Sequence, residues 1–203
     1  MTFFEYFQVA ALVVLACAFV TKATYSCVSA HVNPIAIGRS QGWVQFVFEL
    51  FAFIGLAVWL FETVSYALHT RAHIIPAGAN ITLINSPVAK IGGVMLIGSG
   101  LMIVFWAFIS FGDSWRIGID SETPGRLVIN GIFAVSRNPI FIFLNLWFVG
   151  TFLINGGLFF LTFALLAMAA LHYQIIREER FLSGLYGKPY QDYRSRTSRY
   201  FLF

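Results

Sequence analysis

The stretches GIFAVSRNPIF (residues 131–141) and HYQIIREERFLSGLYGKPYQDYRSRTSRYF (residues 172–201) bracket an apolar block that is broken only at Asn155-Gly156-Gly157. That block is long enough to cross a membrane and return. An Asn-Gly-Gly turn between two such runs leaves room only for an antiparallel helical hairpin. The hairpin would gather both polar, motif-dense segments at one face of a bilayer. A polar site in that position points to an enzyme with a lipid-soluble substrate.

Composition agrees with a membrane setting. Hydrophobic residues make up 59% and charged residues 11% of the 203 positions, and mean hydropathy is +0.78. Soluble domains use roughly 45–50% apolar and 25% charged residues. Five apolar segments, 4–20, 43–68, 88–111, 140–154 and 158–176, predict an all-α, polytopic integral membrane protein. Its five transmembrane helices would end in the hairpin and a cytoplasmic helical tail. The chain reads as one membrane domain, 1–203. Residues 1–87 supply two helices and loops, and 88–203 supply the third helix and a core whose motifs lie in 125–141 and 172–200. The start, MTFFEYFQVA, has no basic region or small-residue cleavage site, so the first helix is expected to be retained. Cys17 and Cys27 have no metal-ligand spacing and read as small apolar fillers.

Basic residues set the expected orientation. Lys22, Arg39, Arg116, Arg126, Arg137, Arg177, Arg180, Lys188, Arg194, Arg196 and Arg199 fall on one side of five crossings, and only Arg71 and Lys90 on the other. The positive-inside rule then predicts an external N-terminus and a cytoplasmic C-terminus, with a bacterial inner membrane as the expected setting. The net charge of +4 is assigned to topology and anionic headgroups, since no basic stripe alternates with stacking aromatics as nucleic-acid binding would require.

Within the second segment, Glu49 is expected to serve a structural or rim role, and Glu62, near an end, is set aside. His31, His69 and His73 show no ligand spacing, and no metal is expected. Pro139 excludes Asn138 from helical geometry and suits the first turn of the fourth helix, leaving Arg137 and Asn138 on a bent loop. An Arg fork beside a helix N-terminus suits a carboxylate or phosphate. An ordinary positive-inside anchor explains the same loop equally well.

The fifth helix continues past the membrane as HYQIIREERFL. Gln174 and Glu178 share one stripe of it, and His172 and Glu179 a neighbouring one. The adjacent carboxylates are expected to serve a site or to pair with Arg177 and Arg180. Beyond Gly187, the spacing of Tyr190, Tyr193 and Arg199-Tyr200 predicts an amphipathic tail whose rings lie in the headgroup layer or cover a ligand.

Taken in order, Leu127-Val128, Gly131-Ile132-Phe133, Arg137-Asn138-Pro139-Ile140-Phe141, the hairpin, Glu178-Glu179, Gly187-Lys188-Pro189-Tyr190-Gln191-Asp192-Tyr193 and Arg199-Tyr200 resemble the isoprenylcysteine carboxyl methyltransferase family. That family of membrane enzymes has relatives among phospholipid N-methyltransferases. The resemblance covers the C-terminal half and departs from the eukaryotic pattern at Asn138 (usually His), Phe141 (usually Tyr) and Gln174 (usually Arg).

The resemblance implies an S-adenosylmethionine site at the cytoplasmic face. Its cofactor residues would be Gly125, Leu127, Val128, Phe133, Arg137, Asn138, Pro139, Glu178, Glu179, Tyr190 and Tyr193. Arg137 and Glu178 would carry catalysis, and Gln174, His172 and Phe141 would meet the substrate. The implied reaction is methyl transfer to a lipophilic acceptor, first a carboxylate on an isoprenylcysteine-like or other lipid chain. Alternatives are a phospholipid amine, a small hydrophobic thiol, phenol or amine, or a non-catalytic protein that keeps the fold. Methyl transfer from a sulfonium is an in-line displacement governed by alignment. A carboxylate, with a pKa near 4, is already ionised for it. An amine must first lose a proton, which would give Glu178, Glu179 or His172 a basic role.

Overall fold

The computed structural model describes residues 2–28, 43–76, 79, 81–112 and 127–201. His31, Arg39, Trp115, Arg116, Gly125 and Arg126 lie outside the described residues. Six helices follow one another: α1 (Phe3–Val28), α2 (Trp43–Ala67), α3 (Pro87–Phe111), α4 (Pro139–Asn155), α5 (Leu158–Tyr186) and α6 (Lys188–Arg196). A 3-10 turn, Gly131–Ala134, precedes α4. Among the described residues there is no strand, only two isolated bridges, Thr82 with Gly157 and Ser136 with Ser198. Helices dominate because apolar surroundings leave each backbone N–H and C=O to find its partner inside its own segment. Proline opens α3, α4 and α6 within their first two positions, where its missing N–H costs nothing.

Helices α1, α2, α3 and α5 are long and apolar enough to cross a membrane. At 17 residues, α4 is shorter. A rise of about 1.5 Å per residue gives it roughly 25 Å, less than a hydrocarbon core of about 30 Å. Four of the described helices are thus long and apolar enough to cross, where the sequence predicts five crossings. Even so, α4 runs antiparallel to α3 along its length. Near its start, the loop before it bonds Ser110 of α3 through the Ile132 N–H at 3.2 Å. Near its end, Gly150 lies against Gly93, so that a Cβ on Gly93 would meet the Gly150 carbonyl at 2.6 Å. Small residues let two backbones approach where apolar surroundings supply no hydrophobic drive.

The α4–α5 turn is clasped by residues 81–84. Gly156 takes a left-handed conformation at φ 69°, and its carbonyl accepts from Leu83 N–H at 2.7 Å, while Leu158 N–H donates to the Ile81 carbonyl at 2.8 Å. Beside the turn, Asn155 Nδ2 donates to Gln8 Oε1 at 2.9 Å, which brings the start of α1 to the same end. Trp59 of α2 packs on Phe148 of α4 and Phe163 of α5, with ring centroids 5.0 and 5.8 Å apart.

Several expectations change at this level. α1 continues to Val28, past the apolar 4–20 stretch, with Lys22 Nζ donating to the Gly112 carbonyl at 2.7 Å. Cys17 and Cys27 are exposed on its surface and fill no core. Glu62, set aside on sequence, is fully buried; it accepts from His73 Nδ1 at 2.9 Å, Ile74 N–H at 2.6 Å and Ile75 N–H at 2.9 Å. It fastens the loop after α2. Glu49 accepts from Gln45 Nε2 at 2.6 Å, one helical turn away.

Candidate active site

The polar cap lies at the end of the bundle opposite the Gly156 turn. Three segments build it: the loop before α4, the extension of α5 beyond Ile176, and the tail made of α6 and residues 197–201. Gly187 separates α5 from α6 at φ 55°, a value that permits the sharp reversal bringing the tail back onto the bundle.

At its centre is Glu179, 5% exposed. Arg137 approaches it from the loop through Nε at 3.1 Å and Nη2 at 2.9 Å, both to Oε1. Arg199 approaches from the tail through Nε to Oε1 at 3.1 Å and Nη2 to Oε2 at 2.8 Å. The remaining Arg137 donor, Nη1, reaches the carbonyls of Arg194 at 2.9 Å and Thr197 at 2.6 Å. Such charge-assisted bonds are the strong ones among protein hydrogen bonds. Hydrogen bonding to Glu179 holds the Arg199 guanidinium above its usual pKa.

Backbone links reinforce the ion pairs. Arg137 N–H donates to the Ser198 carbonyl at 2.9 Å, and Ser136 Oγ and Asn138 Nδ2 donate to the Arg199 carbonyl at 3.1 and 3.2 Å. Tyr193 packs beneath and donates its hydroxyl to the Phe133 carbonyl at 2.7 Å. Burial pushes the Tyr190 phenol up to about 12 and the Tyr193 phenol above its ordinary range, so both remain neutral. Farther along α5, His172 Nδ1 and the Tyr200 hydroxyl are hydrogen-bonded at 2.8 Å.

The structure thus brings Phe133, Arg137, Asn138, Glu179, Tyr190 and Tyr193 into one connected unit, in arrangements that differ from those expected. Arg137 does not present an open fork: its side chain is 8% exposed and already engaged. Glu179 pairs with Arg137 and Arg199, and not with Arg177, which donates to Gln174, or with Arg180, whose exposed side chain lines the groove beside it. Tyr190 and Tyr193 are buried within the protein instead of resting among headgroups, because α6 folds back onto the loop. The Phe133 ring packs edge-on against Phe111 at 4.5 Å. Asn138 adopts φ −132° and ψ 50°, and Pro139 opens α4, as the sequence requires. Leu127, Val128 and Phe141 are half-buried at the margin, and Gln174 accepts from Arg177 Nη1 at 3.4 Å.

Glu178 is half-buried, and among the described residues no donor bonds its carboxylate. It lies about 100° around α5 from Glu179, so neighbouring carboxylates point to different surroundings. On the Glu179 side, a groove of about 470 Å³ is lined by Ile176, Glu179, Arg180, Ser183, Arg194 and Arg199. Sequence reasoning missed Ser136, Thr197 and Ser198, whose short polar side chains and carbonyls carry no pattern that announces a partner sixty positions away. No group of His, Cys, Asp and Glu with metal-binding geometry occurs among the described residues.

Apolar helices capped at one end by an ion-paired tail define a multi-pass membrane protein. The model of the phospholipid methyltransferase family matches residues 88–189, half of the chain, and the chain belongs to that family of integral membrane methyltransferases. No curated protein matches it.

Proposed function

We propose that the polar cap is an S-adenosylmethionine-dependent methyl-transfer site whose lipophilic acceptor enters from the bilayer. The observation that carries this reading is the unsatisfied Glu178 carboxylate beside a cap whose central carboxylate, Glu179, is already paired with Arg137 and Arg199. A half-buried carboxylate without a donor is costly unless a ligand supplies one. S-adenosylmethionine carries an ammonium and a sulfonium, either of which meets that need. The cofactor contributes the electrophilic methyl group. The chain contributes alignment through Glu178, a water-poor margin from Leu127, Val128 and Phe133, and a closed tail held by Glu179.

The roles of Gln174, His172 and Phe141 toward substrate belong to the same proposal, as do those of Pro139, Tyr190 and Tyr193 toward the cofactor pocket. The preferred acceptor is a lipid-linked carboxylate, which needs no base. The family's description favours a second acceptor, a phospholipid amine, for which His172, hydrogen-bonded to Tyr200, is the candidate proton acceptor. Transfer of a radiolabelled methyl group to a panel of lipid carboxylates, amines, thiols and phenols separates the two. Absence of S-adenosylmethionine binding by the purified chain overturns both.

The cap is assigned to the cytoplasmic face, in a bacterial inner membrane with five crossings. Support comes from the described basic residues, of which only Arg71 and Lys90 lie at the Gly156 end. Cysteine accessibility labelling in intact cells tests this orientation, and external labelling of a probe at the C-terminus overturns it.

A further inference from the structure

The groove between α5 and α6 holds charge that the methyl-transfer reading does not use. Ile176, Glu179, Arg180 and Ser183 fall at i, i+3, i+4 and i+7 and so form one face of α5; Arg194 of α6 and Arg199 of the tail stand across from them. Glu179 is neutralised by Arg137 and Arg199. Arg180 and Arg194 are both exposed, and neither guanidinium makes a hydrogen bond or ion pair among the described residues. Two unneutralised like charges, one on each helix, therefore border a groove of about 470 Å³. Ser183 adds a hydroxyl to the lining, and the adjoining Gly184 leaves open space where a side chain would stand.

We infer that this groove binds the phosphate of an anionic membrane lipid, and that the phosphate bridges Arg180 to Arg194 and latches the tail. Guanidinium forks match phosphate oxygens, and one phosphate accepts from two forks at once. The groove starts at Ile176, where α5 leaves its apolar stretch, which is the level at which lipid phosphates lie and at which an anionic leaflet attracts Lys and Arg. A membrane source is favoured over a soluble one by that level and by the apolar Ile176 at the rim. A headgroup lacking its own cation is required, since a choline would compete with the guanidiniums for the phosphate. Glu178 faces elsewhere on α5, so the phosphate is placed on a different side of that helix from the cofactor's proposed counter-charge, although the groove shares Glu179 and Arg199 with the cap.

The test uses the full chain in nanodiscs of phosphatidylcholine, with and without phosphatidylglycerol and without S-adenosylmethionine. Amide hydrogen exchange is followed across residues 188–201. Phosphatidylglycerol is expected to slow exchange there by about tenfold or more, the effect of roughly one charge-assisted contact. Arg180→Gln/Arg194→Gln should abolish that response while exchange in α3 and α4 stays unchanged, showing that the bundle is intact. Equal exchange in both discs, or a response retained by the double variant, overturns the inference. Inorganic phosphate reproducing the full effect in phosphatidylcholine discs overturns the lipid source. Full protection by S-adenosylmethionine alone, lost in the double variant, assigns the groove to the cofactor and also overturns it. Because the main comparison omits the cofactor, failure of the methyl-transfer reading leaves this result distinguishable.

Discussion

Arg199 Nη2 lies 2.8 Å from Oε2 of Glu179, twenty positions earlier in the chain, and this contact closes the tail over the end of the bundle. Arg137 occupies the other side of the same carboxylate. One side chain of α5 therefore joins the loop before α4 to the last described residues. Removing its charge leaves two guanidiniums facing each other across a neutral amide. Glu179→Gln is expected to destabilise the cap by about 3 kcal/mol, the lower part of the range for breaking a buried pair because Arg199 is partly exposed. Thermal unfolding and limited proteolysis of the tail check this, and an unchanged cleavage pattern refutes it.

Glu178→Gln should leave that scaffold intact, since no described donor binds Glu178. If it meets the cofactor's positive charge, S-adenosylmethionine affinity falls about tenfold to a hundredfold, at 1.4 kcal/mol per decade. Calorimetric titration decides, and unchanged affinity removes Glu178 from the site.

Truncation after Tyr186 deletes α6, Arg199 and the Tyr193 bond to Phe133. The truncated chain is expected to insert its apolar helices but to lose methyl transfer. Full activity in that variant would show that the tail is only an anchor.

Raising the pH should loosen the same tail. Tyr190 is pushed up to about 12 from an ordinary value of 10, so its neutral form is favoured by the folded state. The stability associated with that shift is fully present below pH 10 and is lost as the pH rises through about 12. Tyrosinate absorbance recorded alongside tail exchange in detergent tests the order of events; complete ionisation near the ordinary value would contradict it.

At the other end, Gly156→Ala is expected to be severe. A Cβ there would fall 1.7 Å from the Ile84 carbonyl oxygen, at a φ of 69° that disfavours any side chain. The left-handed conformation alone costs a non-glycine residue of order 1–3 kcal/mol, and the clash must also move residues 81–84. A drop in the thermal midpoint is expected, and a midpoint equal to that of the parent chain would refute the packing.

The hairpin was legible because two apolar runs flank Asn155-Gly156-Gly157, and the bend before α4 because Pro139 constrains Asn138. Glu179's partners were not. Of the arginines near it in sequence, Arg177 turns back to Gln174 and Arg180 stays exposed at the groove, while those 42 and 20 positions distant close in. Glu62 was set aside for its place near a helix end, yet that place is what lets an irregular loop deliver His73 and two backbone donors to it. The tyrosine spacing signalled a ring-bearing face but not its direction, which depends on the reversal at Gly187.

The amide pair between Gln8 and Asn155 bears on how the protein is made. The two residues are 147 positions apart, so α1 leaves the ribosome long before its partner exists. Until α4 has been synthesised, the Gln8 carboxamide has no native match, and holding it in hydrocarbon is costly. The nascent first helix is therefore favoured to keep that turn near the aqueous boundary. Arrival of the hairpin is then expected to supply the matching carboxamide, so that the first helix is captured late.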